Sequence, residues 1–109
     1  MPTPSPVHVI ARHFARPDTV DAVRDVLRSL IAPTRAEPGC LKYELFQNVD
    51  DPTDFTFVET FASDAALAAH AAAPYVASLA ATLGPLTARP SDVRRYRPDA
   101  DPSPRTTST

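Results

Sequence analysis

Two side chains in this 109-residue sequence set a proton-handling group among apolar neighbours, and a third can join them. His70 falls three residues after Leu67 in an alanine-rich stretch, so the two share one side of a helix. An imidazole titrates near neutrality and can act as base or acid toward a weakly acidic group of a ligand. A helix histidine held by a backbone or carboxylate partner is the other reading of this position. Glu59 alternates with Phe55, Phe57 and Phe61 along an extended stretch, which puts its carboxylate among phenyl rings. A carboxylate there must find a partner or shift its pKa. Arg35, His70 and Tyr43 are the available partners, and an ion pair with Arg35 is the structural alternative to a working role. Tyr43 alternates with Leu41 and Leu45, which makes its ring core and lets its hydroxyl reach a pocket.

The remaining candidates are walls rather than reactants. Phe57 and Phe61 offer flat faces to an aromatic ligand and suit a plain core equally well. Tyr75 stands beside Pro74, where it can close the mouth of a cavity. His13 falls at a strand end and is expected in solvent, and His8 belongs to the opposite strand face. Cys40 has no adjacent base or helix N-terminus to lower its pKa, so it reads as a small buried hydrophobe. No CxxC, HxxxH or HExxH spacing occurs, and no glycine-rich loop precedes a helix. A built-in metal site, a P-loop and a dinucleotide site are therefore not expected.

Six elements must hold these residues in place. Val7–Phe14 alternates as a strand, with Val7, Val9, Ala11 and His13 on one face. Asp18 and Thr19 supply a helix cap before a stripe of Val20, Val23, Leu27, Leu30, Ile31 and Thr34. Glu37-Pro38-Gly39 ends that helix. Cys40–Asn48 and Phe55–Phe61 form a hairpin across the polar turn 50–54. Ser63-Asp64 caps a second helix, which Pro74 kinks or restarts before Tyr75–Leu83. Ser91–Arg97 is a last short strand. The order β-α-β-β-α-β is the ferredoxin-like α+β arrangement with a four-stranded antiparallel sheet.

Composition narrows the function classes. Formal charge is −2, from 11 Lys plus Arg against 13 Asp plus Glu, so nothing favours nucleic acid or an anionic membrane. No apolar run approaches the ~20 residues of a membrane span, and the N-terminus lacks the pattern of a signal peptide. A single cysteine cannot form an internal disulfide and fits a reducing compartment. A cytoplasmic protein is expected. Prolines cluster at both ends, which marks residues 1–6 and 98–109 as flexible tails around an ordered domain over 7–97. Two helices cover one face of a four-stranded sheet, and the other face also carries apolar residues. A second copy of the chain would hide it, so a symmetric homodimer is expected.

Val9-Ile-Ala-Arg12, Thr34-Arg-Ala-Glu-Pro-Gly-Cys40, Tyr43-Glu-Leu45, Phe57-Val-Glu59 and Ala69-His70 with Pro74 occur in one order and spacing. Together they resemble the antibiotic biosynthesis monooxygenase domain across the ordered region. The resemblance implies a dimeric α+β barrel with a ligand cavity between each sheet and its helices. It also implies activity from a short menu. Members include cofactor-free oxygenases of polycyclic phenols and quinols, haem-degrading enzymes, and an isomerase of a phosphorylated signalling sugar derivative.

Departures from the family pattern refine this. Oxygenase and haem-degrading members touch substrate through an Asn on the first strand and a Trp ending the third; the matching positions here are Ala11 and Phe61. The haem-ligating histidine has no counterpart in Val76–Ala81, so haem degradation is not expected. A second histidine that commonly follows the helix-two proline is Tyr75 here. The reading that results is a cofactor-independent monooxygenase that takes O₂ and a small aromatic substrate. His70 and Glu59 are its catalytic pair; Tyr43, Phe57, Phe61, Tyr75, Ala11 and Arg35 contact the substrate. An isomerase using the same proton-handling pair, or a non-catalytic binding dimer, is the alternative.

Overall fold

The computed structural model describes residues 5–99. Most of both expected tails, residues 1–4 and 100–109, lies outside the described residues. The elements are strand β1 (Val7–Ala15), helices α1 (Val20–Ser29) and α2 (Ile31–Arg35), strands β2 (Cys40–Gln47) and β3 (Asp54–Phe61), helices α3 (Asp64–Ala72), α4 (Pro74–Ala77) and α5 (Leu79–Leu83), a 3-10 turn at Gly84–Leu86, and strand β4 (Thr87–Tyr96). The four strands form one antiparallel sheet in the order β2-β3-β1-β4. This is the ferredoxin-like α+β fold that the element order predicts.

Strand alternation delivers the core to the helices. Val7, Val9, Ala11, His13 and Ala15 of β1 and Phe55, Phe57, Glu59 and Phe61 of β3 are buried in adjacent rows. Val23, Leu27 and Leu30 from the first helical arm and Leu83 from the second pack onto them. Each buried phenylalanine contributes roughly 1.5–3 kcal/mol, so this half of the sheet is where stability concentrates.

The first helix divides where the sequence shows one continuous stripe. Pro33 has no N–H to give the Ser29 carbonyl and its ring crowds that carbonyl. Leu30 accordingly sits between α1 and α2, with its N–H on the Leu27 carbonyl at 3.1 Å. Thr19 does not cap α1 through its side chain. Its hydroxyl instead donates to the Leu86 carbonyl at 2.6 Å and ties the 3-10 turn to the start of the helix.

The second arm behaves as Ser63 and Pro74 predict. The Ser63 hydroxyl accepts the Ala66 N–H at 3.1 Å. Ala73 is extended, at φ −60° and ψ 137°, and α4 restarts with Pro74 at its first position. The two segments meet at 69°. Among the described residues no single helix is long and apolar enough to cross a membrane.

Two strand details differ from the alternation. A bulge separates Cys40 from Lys42 in the β2–β3 ladder. It turns Cys40 to the core and leaves Leu41 61% exposed, the reverse of the expected faces. Strand β4 starts at Thr87, four residues earlier than Ser91, and its register against β1 shifts on either side of Phe14. On the sheet face without helices, Phe14 is buried beneath Arg89 and Arg12, whose guanidinium carbons stand 3.7 and 4.9 Å from the ring centre. Phe46 and Tyr96 remain about half exposed on this face.

Candidate functional site

Between the sheet and the helices lies a cavity of roughly 150 Å³. Its floor is Val9, Ala11 and His13 of β1, Tyr43 of β2 and Phe57 and Glu59 of β3. Leu30, Leu67, His70, Ala71, Val76 and Leu79 roof it from the helices. Val93 of β4, 59% exposed, lies along its edge and marks the open side.

His70 occupies the closed end and is the pivot of a row of polar groups. Its Nδ1 lies 2.9 Å from Glu37 Oε2, and its Nε2 lies 3.9 Å from Glu59 Oε1. A carboxylate at Nδ1 keeps the proton on that nitrogen, so Nε2 presents its lone pair toward Glu59 and the cavity. The imidazole packs 4.8 Å from the Phe61 ring and 5.7 Å from the Tyr43 ring. Glu37 also accepts a hydrogen bond from the Tyr75 hydroxyl, which reaches the Pro33 carbonyl at 3.3 Å as well. Tyr75 therefore joins α4 to the end of the first helical arm.

Glu59 is the unusual member. Its side chain is 5% exposed and accepts no hydrogen bond among the described residues. Burial, reinforced by the charge of Glu37, pushes its carboxyl up to about 7. Burial raises the Tyr43 hydroxyl further above its ordinary value, with Glu59 adding to the effect. The Tyr75 hydroxyl is pushed up to about 12 by desolvation and by its bond to Glu37. Beside the Tyr43 and Tyr75 hydroxyls lies that of Thr34, fully buried and with no hydrogen-bond partner among the described residues.

The structure brings His70, Glu59, Tyr43, Phe57 and Ala11 together around the cavity, while Phe61 lies fully buried behind His70. Tyr75 latches the roof from outside rather than lining it. Arg35 is exposed and donates to the Tyr43 carbonyl from Nε and Nη2, at 3.0 and 2.8 Å. The ion pair between Arg35 and Glu59 is therefore not formed. Cys40 is a half-buried thiol whose pKa is raised, first by burial and then by Glu37, which is the setting of a packing residue.

Two participants are not where sequence alone puts them. His13, expected in solvent, is 4% exposed and lines the end of the cavity away from His70. Its Nδ1 meets Ser91 Oγ at 2.6 Å, and burial lowers its pKa to about 4, so it is neutral. The early start of β4 is what covers it. Glu37 reads in sequence only as the end of a helix. A carboxylate placed before Pro38 and Gly39 was the available signal, because Gly39 lets α3 pass so close that an added Cβ would lie 2.4 Å from Ala66 Cβ. Such an approach sets Glu37 against the same helix that carries His70. The imidazole stands between Glu37 and Glu59, so the two carboxylates share no point where an ion could sit. Among the described residues no group of three or more His, Cys, Asp or Glu side chains is placed to hold a metal.

Known proteins share this architecture. Residues 6–82 match the family described as antibiotic biosynthesis monooxygenase. Rv0793 of Mycobacterium tuberculosis, named as a candidate monooxygenase, is 39% identical over 94 residues, which is 86% of this chain and 92% of that protein. The solved structure of Rv0793 superposes with a TM-score of 0.83 over 91% of this chain and 100% of that one. PA3566 of Pseudomonas aeruginosa is 30% identical and superposes with a TM-score of 0.83, covering 92% and 100%. A crystal structure described as an antibiotic biosynthesis monooxygenase is 34% identical, with a TM-score of 0.78 over 88% and 99%.

Proposed function

The chain belongs to the antibiotic biosynthesis monooxygenase family, and we propose that it is a cofactor-independent monooxygenase that oxidises a small phenol or quinol with O₂. The observation that carries this reading is the row Glu37–His70–Glu59 opening on a cavity the size of one aromatic ring. A dry cavity of about 150 Å³ holds a ligand such as benzene.

In the proposed reaction the substrate hydroxyl sits beside Glu59 and His70 Nε2. Glu37 fixes the tautomer, so Nε2 is free to take the hydroxyl proton. Glu59, with its carboxyl poised near 7, exists in both protonation states at neutral pH and can relay that proton or return it. Phe57 and Tyr43, stacked with ring centres 4.4 Å apart, give the substrate ring an aromatic wall. Deprotonation makes the ring electron-rich enough to react with O₂ directly. For a hydroquinone, one oxygen atom enters the ring to give a hydroxyquinone and the other leaves as water. The substrate supplies all four electrons, so the step needs no further reductant.

We further propose that the chain acts as a homodimer in the cytoplasm. The sheet face without helices, with Phe46 and Tyr96 half exposed, supports pairing through that face. The free Cys40 fits a reducing compartment. A net charge of −2 gives no overall attraction to nucleic acid or to an anionic membrane, so neither is proposed as a partner.

Oxygen-electrode measurements with metal-free protein and a panel of hydroquinones test the reading, alongside His70→Ala. Protein-dependent uptake that is lost in the variant is expected; no uptake by the folded protein would overturn it. An isomerase is the second reading, favoured by the side-by-side placement of two proton-handling groups, His70 and Glu59. It would exchange substrate carbon-bound hydrogen with solvent in the absence of O₂.

A further inference from the structure

The cavity has a second polar end that the proton-handling row does not use. His13 is 4% exposed and lines the cavity. Its Nδ1 is taken by Ser91, while its Nε2 meets no partner among the described residues. Glu59, at the other end, also accepts no hydrogen bond among the described residues, with His70 Nε2 3.9 Å away. Two largely buried residues that line one cavity and keep a polar atom without a partner among the described residues mark places where a ligand can supply one.

Their spacing fixes the ligand's length. Val9 pairs with Glu59 and His13 pairs with Phe55 across the β1–β3 ladder. Four residues of strand at ~3.3 Å each separate the two ends by about 13 Å along the sheet. An aromatic ring with oxygen atoms at opposite positions, plus a hydrogen bond of about 2.8 Å at each end, spans about 11 Å. A single ring also matches the volume. Ala11 lies midway between the two ends, opposite Phe57, and its small side chain leaves the slot in which the ring would lie.

We propose that the ligand is a single aromatic ring with polar groups at opposite ends, its hydroxyl at Glu59 and His70 and an uncharged para substituent at His13. This rests on the reading of the cavity as the phenol site and narrows its substrate class. The para group is a hydroxyl, hydroxymethyl or carbonyl. A carboxylate there would be buried beside a neutral imidazole, and one N–H bond does not offset the cost of desolvating its charge. His13 is thus a specificity-determining residue, and Ser91 a positioning residue that fixes its ring.

The test is an anaerobic NMR titration of the full chain with phenol, the 2-, 3- and 4-isomers of hydroxybenzyl alcohol, and 4-hydroxybenzoate. The chain has three histidines, so the ring signals of His13 and His70 can be separately assigned. The 4-isomer is expected to bind about fivefold more tightly than phenol, the worth of one neutral hydrogen bond. It should move both the His13 and His70 signals, and the 2- and 3-isomers and the benzoate should gain nothing over phenol. In His13→Phe the ratio of phenol to 4-isomer dissociation constants should fall to about one. Ser91→Ala, a change at an exposed hydroxyl, should lower the same ratio without the folding risk of a core substitution. Equal binding of phenol and all three isomers, with the His13 signal unmoved, would overturn the inference and leave the phenol site standing. Failure of every ring compound to bind would remove both.

Discussion

Replacing Glu59 with glutamine should uncover two opposed buried titrations. In the native fold burial moves the Glu59 carboxyl from 4.5 to about 7. Between those values the unfolded chain has released the proton and the folded chain still holds it, so stability falls as pH rises. At 1.36 kcal/mol per unit, the interval is worth roughly 3 kcal/mol. Burial moves His13 the other way, from 6.5 to about 4. There the unfolded chain holds a proton that the folded chain has lost, so stability rises with pH across that interval, again by roughly 3 kcal/mol. The two slopes offset each other over the shared range of about 4.5 to 6.5, and the native protein should show a nearly flat profile there.

Glu59→Gln keeps the shape and removes one of the two titrations. Urea unfolding at intervals from pH 4.5 to 8 is the assay. The variant's stability should climb by roughly 2–3 kcal/mol between pH 4.5 and 7 as the His13 contribution stands alone. At pH 8 it should exceed the wild type by roughly 1–3 kcal/mol, the lower figure allowing for an amide that finds no full set of partners. The curves should draw together toward pH 4.5, where Glu59 is protonated in the folded chain and half protonated in the unfolded one. A variant with a flat profile would refute the reasoning about His13, and one less stable than wild type at pH 8 would refute that about Glu59.

Three further substitutions probe the supports of the site. Thr34→Val replaces a buried hydroxyl that has no partner among the described residues; thermal melts should show a variant at least as stable as wild type, by up to about 1 kcal/mol. Gly39→Ala drives a Cβ into Ala66, and a loss of roughly 1–3 kcal/mol is expected by denaturant unfolding, partly recovered by adding Ala66→Gly. Tyr75→Phe removes the hydroxyl that joins Glu37 and the Pro33 carbonyl. Hydrogen exchange in Pro74–Leu83 should quicken, with a stability loss of about 1 kcal/mol; unchanged exchange would mean that the latch holds nothing.

Local rules carried most of the fold. Alternation placed Phe55, Phe57, Glu59 and Phe61 on one buried face, and Ser63 and Pro74 marked the start and the break of the second arm. The errors came where a residue's surroundings are set by a distant element. His13 lies next to Phe14 near a strand end, but β4 begins early enough to bring Ser91 over it. Thr19 has the chemistry of a cap, yet a carbonyl from Leu86, 67 residues away, takes its hydroxyl. Cys40 and Leu41 exchanged faces because a bulge adds a residue that period-two reading has no means to count. At the site, chemistry was legible and pairing was not. Glu59 among phenylalanines declared itself as a strained carboxylate, but Arg35 turned to a backbone carbonyl and His70 took its firm bond from Glu37.

The central claim is that this cavity oxygenates a ring with no reductant beyond the ring itself. Labelled dioxygen, ¹⁸O₂, supplied to metal-free protein with a 1,4-hydroquinone tests it most directly, with mass spectrometry of the product and of the water formed. One labelled atom in the hydroxyquinone and one in water, with both lost in His70→Ala, is the predicted result. Product that carries no label, or oxygen returned quantitatively as hydrogen peroxide, would contradict the account.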